Sequence, residues 1–173
     1  MWLLLGIYRI GLHIIKIFLI NMDGCVVYKG RYYSPHVYII VSRDVIYIGE
    51  TQRLPIRRWS DHLSKSGSFY KKLDKYLNGG GCVESYMSSL NFFGYCCHSA
   101  FSDINFNYCG YLVPTQALEH KLHELIIETK PFGSEKTVIS ETKKTMPRYF
   151  EHWDYVNEIA QKVLSVAIKE LAL

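Results

Sequence analysis

No paired-cysteine framework runs through this chain: its five cysteines, Cys25, Cys82, Cys96, Cys97 and Cys109, are odd in number and irregular in spacing. A disulfide scaffold is thereby excluded, and reduced thiols in a cytoplasm-like compartment are expected. Zinc is disfavoured as well. Cys96-Cys97-His98 with Cys109 lacks ligands paired two to four residues apart, and adjacent cysteines on a strand point to opposite faces. Buried apolar thiols are the plainer reading. There is no internal repeat and no low-complexity run. Nor is there a large charge imbalance: the formal net charge is +4, which permits a nucleic-acid partner without requiring one.

Long apolar runs are also missing, with one exception. Residues 1–20, MWLLLGIYRIGLHIIKIFLI, are apolar but interrupted by Arg9, His13 and Lys16, with no small-residue cleavage site. A charge near mid-bilayer costs about 2.5–3.5 kcal/mol, which weakens a spanning helix. Three readings stay open: an element packed on the domain, a weak membrane anchor, or an extension upstream of a start at Met22. The packed element is favoured over membrane contact. At 173 residues one domain with an appendage is expected: an apolar segment over 1–21, a main domain over 22–135, and a loop with a C-terminal helix over 136–173.

What is present concentrates between His36 and Leu63. Val37–Val41 and Val45–Ile48 are β-branched runs separated by Ser42-Arg43-Asp44, and read as an antiparallel hairpin carrying Tyr38 and Tyr47. Pro55 suits an early helical position, so a helix from about Leu54 to Leu63 follows, carrying Arg57, Arg58, Trp59 and His62. His62 lies four residues after Arg58 and shares its face, whereas Arg57 shares a face with Asp61 and is expected to pair with it. From Arg53 to Lys75 the chain sets Arg53, Arg57, Arg58, Lys65, Lys71, Lys72 and Lys75 among Trp59, Phe69, Tyr70 and Tyr76, against only Asp61 and Asp74. Such a basic, aromatic-studded surface suits a phosphate backbone. A solvated helical face is the bland alternative.

Phe69 to Leu77 recur at helical spacing. Val83 to Val113 is rich in aromatic and β-branched residues, with Tyr108–Val113 expected as a third strand and Cys25–Tyr28 as another. Thr115 is a candidate N-cap for a helix over about Gln116 to Thr129. Gly133 to Pro147 reads as a loop or weak strand, and a last helix over about Arg148 to Leu171 carries an apolar stripe from Trp153 to Ala167, either core or dimer seam. The fold class is therefore α+β: a small three-stranded antiparallel sheet flanked by helices, with a long C-terminal helix.

His36-Val37-Tyr38, Tyr47-Ile48-Gly49, Arg58-Trp59-Ser60-Asp61-His62 and Ala117-Leu118-Glu119 form an ordered set that resembles the GIY-YIG nuclease family over about Val37 to Phe132. Gly6-Ile7-Tyr8 spells the first motif literally, but no Tyr-Ile-Gly follows it at the right spacing. The resemblance implies a metal-dependent DNA endonuclease with Tyr38, Tyr47, Arg58, His62 and Glu119 catalytic, Glu119 holding Mg²⁺ or Mn²⁺, and DNA as partner. Guanidinium suits phosphoryl oxygens because it is always charged and forked, and a lone carboxylate suits a cation that keeps most of its waters. Tyr38 is then the candidate base, its phenolate favoured by Arg58 and the metal. Arg53, Arg57, Lys65, Lys71 and Lys72 are candidate substrate contacts. The chain departs from the family pattern at His36, in place of Gly, and after the Glu-bearing helix, where Pro131-Phe132-Gly133-Ser134-Glu135 contains no Asn; Ser134 is a substitute candidate, and Glu124 the alternative metal ligand. A stand-alone cytoplasmic or nucleoid-associated enzyme of restriction or mobile-element type, with homodimerisation open, is the expectation. The rivals are a catalytically weak nucleic-acid-binding module and a membrane-attached protein whose nuclease-like domain binds a partner.

Overall fold

The hairpin forms where the β-branched runs placed it. In the computed structural model, which describes residues 33–78, 80–101, 113–141, 147 and 150–171, β1 spans His36–Val41 and β2 spans Val45–Thr51. They pair antiparallel, with Tyr38 opposite Gly49 and Ile40 opposite Tyr47. The turn is closed by Ser42 N–H donating to the Val45 carbonyl at 3.0 Å. Lys136 Nζ donates to the Ser42 carbonyl at 2.9 Å and also to that of Arg43.

The third strand is β3, Asn91–Cys96, antiparallel to β1 on its other side with Tyr38 opposite Gly94. It lies at the beginning of the aromatic stretch, not at Tyr108–Val113. Val113 belongs to a helix, and residues 108–112 lie outside the described residues, as do Cys25–Tyr28 and the segment 1–21. The glycine at the centre of Asn91–Cys96 lowers its intrinsic strand preference. Pro55 and Trp59 of the first helix lie over this position, where a Cβ would meet them in ordinary van der Waals contact at 3.4 to 3.6 Å.

The expectation of a three-stranded antiparallel sheet is corrected on both counts. The sheet has four strands among the described residues, in the order β3-β1-β2-β4, and it is mixed. β4 is Thr137–Val138, parallel to β2. Thr137 N–H donates to the Asp44 carbonyl at 2.7 Å and Ile139 N–H to that of Ile46 at 2.9 Å. It falls in the stretch read as a loop or weak strand, and two residues are too few to carry a period-two pattern that would add them to the sheet from sequence.

Six helices are described: α1 Pro55–Leu63, α2 Ser68–Tyr76, α3 Val83–Met87, α4 His98–Phe101, α5 Val113–Thr129 and α6 Trp153–Glu170. α5 begins before the expected N-cap, so Thr115 is a buried residue of its first turn. Strand alternation divides the core. Val37, Ile39, Val41, Ile46 and Ile48 face α5 and α6, whereas Tyr38, Ile40, Val45 and Tyr47 face Trp59, Phe69, Leu73 and Val83 of α1, α2 and α3. Both faces are covered, which is why the strands read as continuous apolar runs. The α6 stripe, including Val156, Ala160, Val163 and Ala167, is buried in the first of these clusters. A dimer would therefore use another surface.

No helix among the described residues is long and apolar enough to cross a membrane.

Candidate active site

The site forms on the α1–α2 face of the hairpin. Tyr38 and Tyr47 project from the same face of neighbouring strands, their rings 6.5 Å apart and nearly parallel at 15°. Space for this comes from Gly49: a Cβ there would stand 2.3 Å from the Tyr38 hydroxyl oxygen. Trp59 closes the packing edge-on to Tyr38.

α1 buries Pro55, Trp59 and His62 and leaves Arg57, Arg58 and Asp61 exposed. Its helical spacing thus carries His62 onto the tyrosines while Arg58 stays at the rim. His62 Nε2 lies 2.6 Å from the Tyr38 hydroxyl, and its Nδ1 lies 2.6 Å from Ser68 Oγ. Ser68 Oγ is in turn 3.0 Å from the Tyr47 hydroxyl. Burial, helped by the Arg58 charge, pushes the His62 pKa down to about 4, so the ring is neutral at physiological pH.

The charge of Arg58 favours the Tyr38 phenolate. Burial outweighs it. The Tyr38 hydroxyl is held well above the ordinary tyrosine range, first by desolvation and then by Tyr47, and burial raises Tyr47 in the same direction. Tyr38 is 1% exposed, so the base candidate lies at the floor of the site with Arg58 and His62 above it.

Glu119 arrives from α5, across the sheet from α1. It is 7% exposed, and among the described residues no hydrogen bond or ion pair reaches its carboxylate. Burial pushes its pKa up to about 8, with Glu50 raising it further and Lys72 and Arg58 opposing. Glu50 is raised too, by burial, while Gln52, 3.0 Å away, and Arg58 lower it. The charges of Arg58 and Glu119 both act on Tyr38 and on Tyr47. Glu119 therefore shares one electrostatic neighbourhood with the tyrosines and the arginine, with no direct bond to them.

As a donor set this fits a hard cation: a buried carboxylate without a partner, beside a second carboxylate, in a setting that disfavours two bare negative charges. No cluster of three or more His, Cys, Asp or Glu exists among the described residues, so most ligands would be water or substrate oxygen. Glu124 is unsuited, being exposed and paired with Lys121 at 2.7 Å.

Of the candidate substrate contacts, Arg53, Arg57, Lys65 and Lys71 are exposed. Arg53 and Arg57 line a cleft with Glu50, Gln52, Arg58 and Asp61. Arg58 and Asp61 also border a second cleft with His62, Ser66 and Ser68. Arg57 and Asp61 form no ion pair among the described residues, leaving the guanidinium open to the first cleft. Lys72 is half-buried, with its Nζ 5.9 Å from the centroid of the Tyr47 ring. Ser134 is exposed, on the loop after α5.

Three participants escaped sequence reasoning. The first two are Ser68, at the start of α2, and Glu50, directly after the Tyr-Ile-Gly motif. The third is His123, one turn after Glu119. Its Nδ1–H donates to the Glu119 carbonyl at 2.9 Å, so its Nε2 accepts from Ser140 Oγ at 2.6 Å. Ser140 Oγ also accepts the Ile48 N–H at 2.9 Å, tying α5 to the edge of β2. His36, by contrast, is an ordinary strand residue. It pairs with Thr51 and Cys96, and its Nδ1–H donates to the Ser34 carbonyl at 2.6 Å. Its φ is not among the positive ones, so a glycine conformation is not needed there.

Two strand tyrosines, a neutral histidine and a rim arginine, with a buried carboxylate in electrostatic reach, suit phosphoryl chemistry. The family model described as the GIY-YIG catalytic domain matches residues 34–89, so this segment, which carries the hairpin, α1 and α2, is similar to the catalytic domain of that family. Glu119 lies beyond the matched residues. No curated protein and no solved structure matches the chain.

Proposed function

We propose that this protein is a metal-dependent DNA endonuclease that hydrolyses phosphodiester bonds, acting as an intracellular enzyme of restriction or mobile-element type. The observation that carries the reading is His62 Nε2 at 2.6 Å from the Tyr38 hydroxyl, with the charge of Arg58 acting on the same tyrosine. Arg58, exposed at the rim, turns onto the phosphoryl oxygens and neutralises charge that develops there. The Tyr38 oxygen takes a proton from the attacking water, while His62 and Tyr47 hold that tyrosine in place. Glu119, with Glu50 beside it, would hold Mg²⁺ or Mn²⁺, which when bound supplies charge stabilisation at the phosphate and the leaving oxygen. Arg53, Arg57, Lys65, Lys71 and Lys72 bind the flanking backbone. Cutting both strands would call for a second copy or a second binding event.

A second reading, a DNA-binding module with a weak site, is favoured by the burial of Tyr38 and by the missing Asn after α5. Supercoiled plasmid incubated with purified full-length protein and Mg²⁺ or Mn²⁺ separates the two. Nicking or linearisation that disappears in Tyr38→Phe, Arg58→Ala and Glu119→Ala supports the enzyme. Retention of plasmid without cleavage at any metal concentration supports the binding module, and cleavage untouched by all three substitutions removes the site assignment.

A further inference from the structure

Ser68 stands at the centre of an unbroken hydrogen-bond chain: Tyr38 hydroxyl to His62 Nε2 at 2.6 Å, His62 Nδ1 to Ser68 Oγ at 2.6 Å, and Ser68 Oγ to the Tyr47 hydroxyl at 3.0 Å. One end lies at the floor of the site, where Tyr38 is 1% exposed. The other is open, since Ser68 is exposed and borders a cleft with Arg58 and His62. Local backbone holds the serine there. Gly67 packs so tightly on the end of α1 that a Cβ would lie 2.3 Å from the carbonyl oxygens of both Asp61 and His62. Any other residue would push the start of α2, and Ser68 with it, off the imidazole.

The direction of the chain follows from the cation beside its buried end. Arg58 is a fixed cation whose charge acts on Tyr38, and it draws the lone pairs of the phenol oxygen towards itself. The Tyr38 O–H then turns to His62 Nε2, its one hydrogen-bond partner among the described residues. A neutral imidazole that accepts at Nε2 carries its proton on Nδ1, and that N–H donates to Ser68 Oγ. The serine proton is left to point at the Tyr47 oxygen or into the cleft.

We propose that Ser68 is a positioning residue that fixes the Nδ1–H form of His62 and completes an outward proton path from Tyr38 through His62 to the solvent-filled cleft. The inference rests on the nuclease reading of the site. In the reaction, the attacking water gives one proton to the Tyr38 oxygen as the phenolic proton crosses to His62 Nε2. The Nδ1 proton crosses to Ser68 Oγ, and the serine's own proton leaves to water in the cleft. The hydroxide so formed bonds to phosphorus, the bond from phosphorus to the leaving oxygen breaks, and that oxygen takes a proton from water. No group in the chain is left charged, so a buried phenol serves as base without standing as phenolate.

The test pairs a spectroscopic readout with kinetics on the full-length protein. Long-range ¹H–¹⁵N spectra of the ring nitrogens are expected to show His62 as the Nδ1–H tautomer. Ser68→Ala is expected to convert it to a mixture, lower kcat about 10–100-fold, in the range seen when an outer hydrogen-bond partner of a functional imidazole is removed, leave KM unchanged, and displace the pH–rate profile. Ser68→Thr, which keeps the hydroxyl, restores all three. An Nε2–H tautomer in the parent protein, or a tautomer, kcat and pH profile all unmoved in Ser68→Ala, overturns the proposal. Should the parent protein cut no DNA, the nuclease reading fails by itself, and the tautomer spectra still decide whether Ser68 sets the ring.

Discussion

Tyr38 and Gly49 face each other across the β1–β2 hairpin, and the tyrosine ring fills the space that a side chain on Gly49 would need. The final glycine of the Tyr-Ile-Gly motif is thus a steric partner of the tyrosine in the other motif, which ties two short sequence signatures into one physical unit. Gly49→Ala is expected to push the Tyr38 ring off His62, destabilise the protein by about 1–3 kcal/mol through overpacking, and abolish cutting. Denaturant unfolding and the plasmid assay check the two parts. A fully active, equally stable alanine variant would show that the ring moves aside freely.

Arg58 is expected to be irreplaceable by lysine. A lysine keeps the charge but lacks the planar fork that addresses two oxygens together. Arg58→Lys should lower kcat by about 10²-fold or more, the scale for removing a preorganised charge stabiliser. Arg57→Lys, altered on the same helix but in the outer cleft, should change DNA affinity and its salt dependence by little. Single-turnover cleavage and filter binding separate chemistry from affinity.

The Glu119 carboxyl gives a signed pH effect. Its pKa is pushed up from 4.5 to about 8 by burial, so between those values the folded chain binds a proton that the unfolded chain does not. In EDTA, stability is lost as pH rises through this window. Glu119→Gln should remove that slope and be more stable than the parent above pH 8, while losing cleavage. Mn²⁺ should restore stability to the parent alone, because a ligand that binds only the folded state stabilises it. Urea unfolding across pH, with and without Mn²⁺, tests both statements.

His123 works in the opposite direction. Burial lowers its pKa from 6.5 to about 4, so on acidification the unfolded chain takes up a proton first. Stability is present above pH 6.5 and is lost as pH falls towards 4. His62, lowered to about 4 as well, adds to the same loss. His123→Gln should flatten part of this slope at near-normal cutting, and an unchanged acid slope would remove His123 from the explanation.

Much of this site was legible in the chain. β-branched runs marked the hairpin, the i,i+4 spacing set Arg58 and His62 on one side of the following helix, and the ordered motif set that ends in Ala117-Leu118-Glu119 pointed to the downstream carboxylate. The elements that were misplaced share a physical cause. β3 carries Gly94 at its centre, and a strand with a bare position reads weakly in any propensity argument. β4, held by backbone bonds to Asp44 and Ile46, is two residues long, too short to carry a period-two pattern. The α6 stripe was equally consistent with a core or a seam, because periodicity identifies an apolar face without naming what covers it.

By itself, then, the sequence determined the local geometry: which residues alternate on a strand, which share a turn of helix, and therefore which tyrosines, arginine and histidine can meet. Only tertiary structure decided what those groups become once together. The neutral state of His62 and the raised Tyr38 and Glu119 follow from burial, a property of the whole packed chain. The third link, Ser68, is brought to the imidazole by a close approach at Gly67 between two helices. Short-range spacing is written residue by residue, whereas solvent exclusion and loop closure are set jointly by residues far apart in the chain.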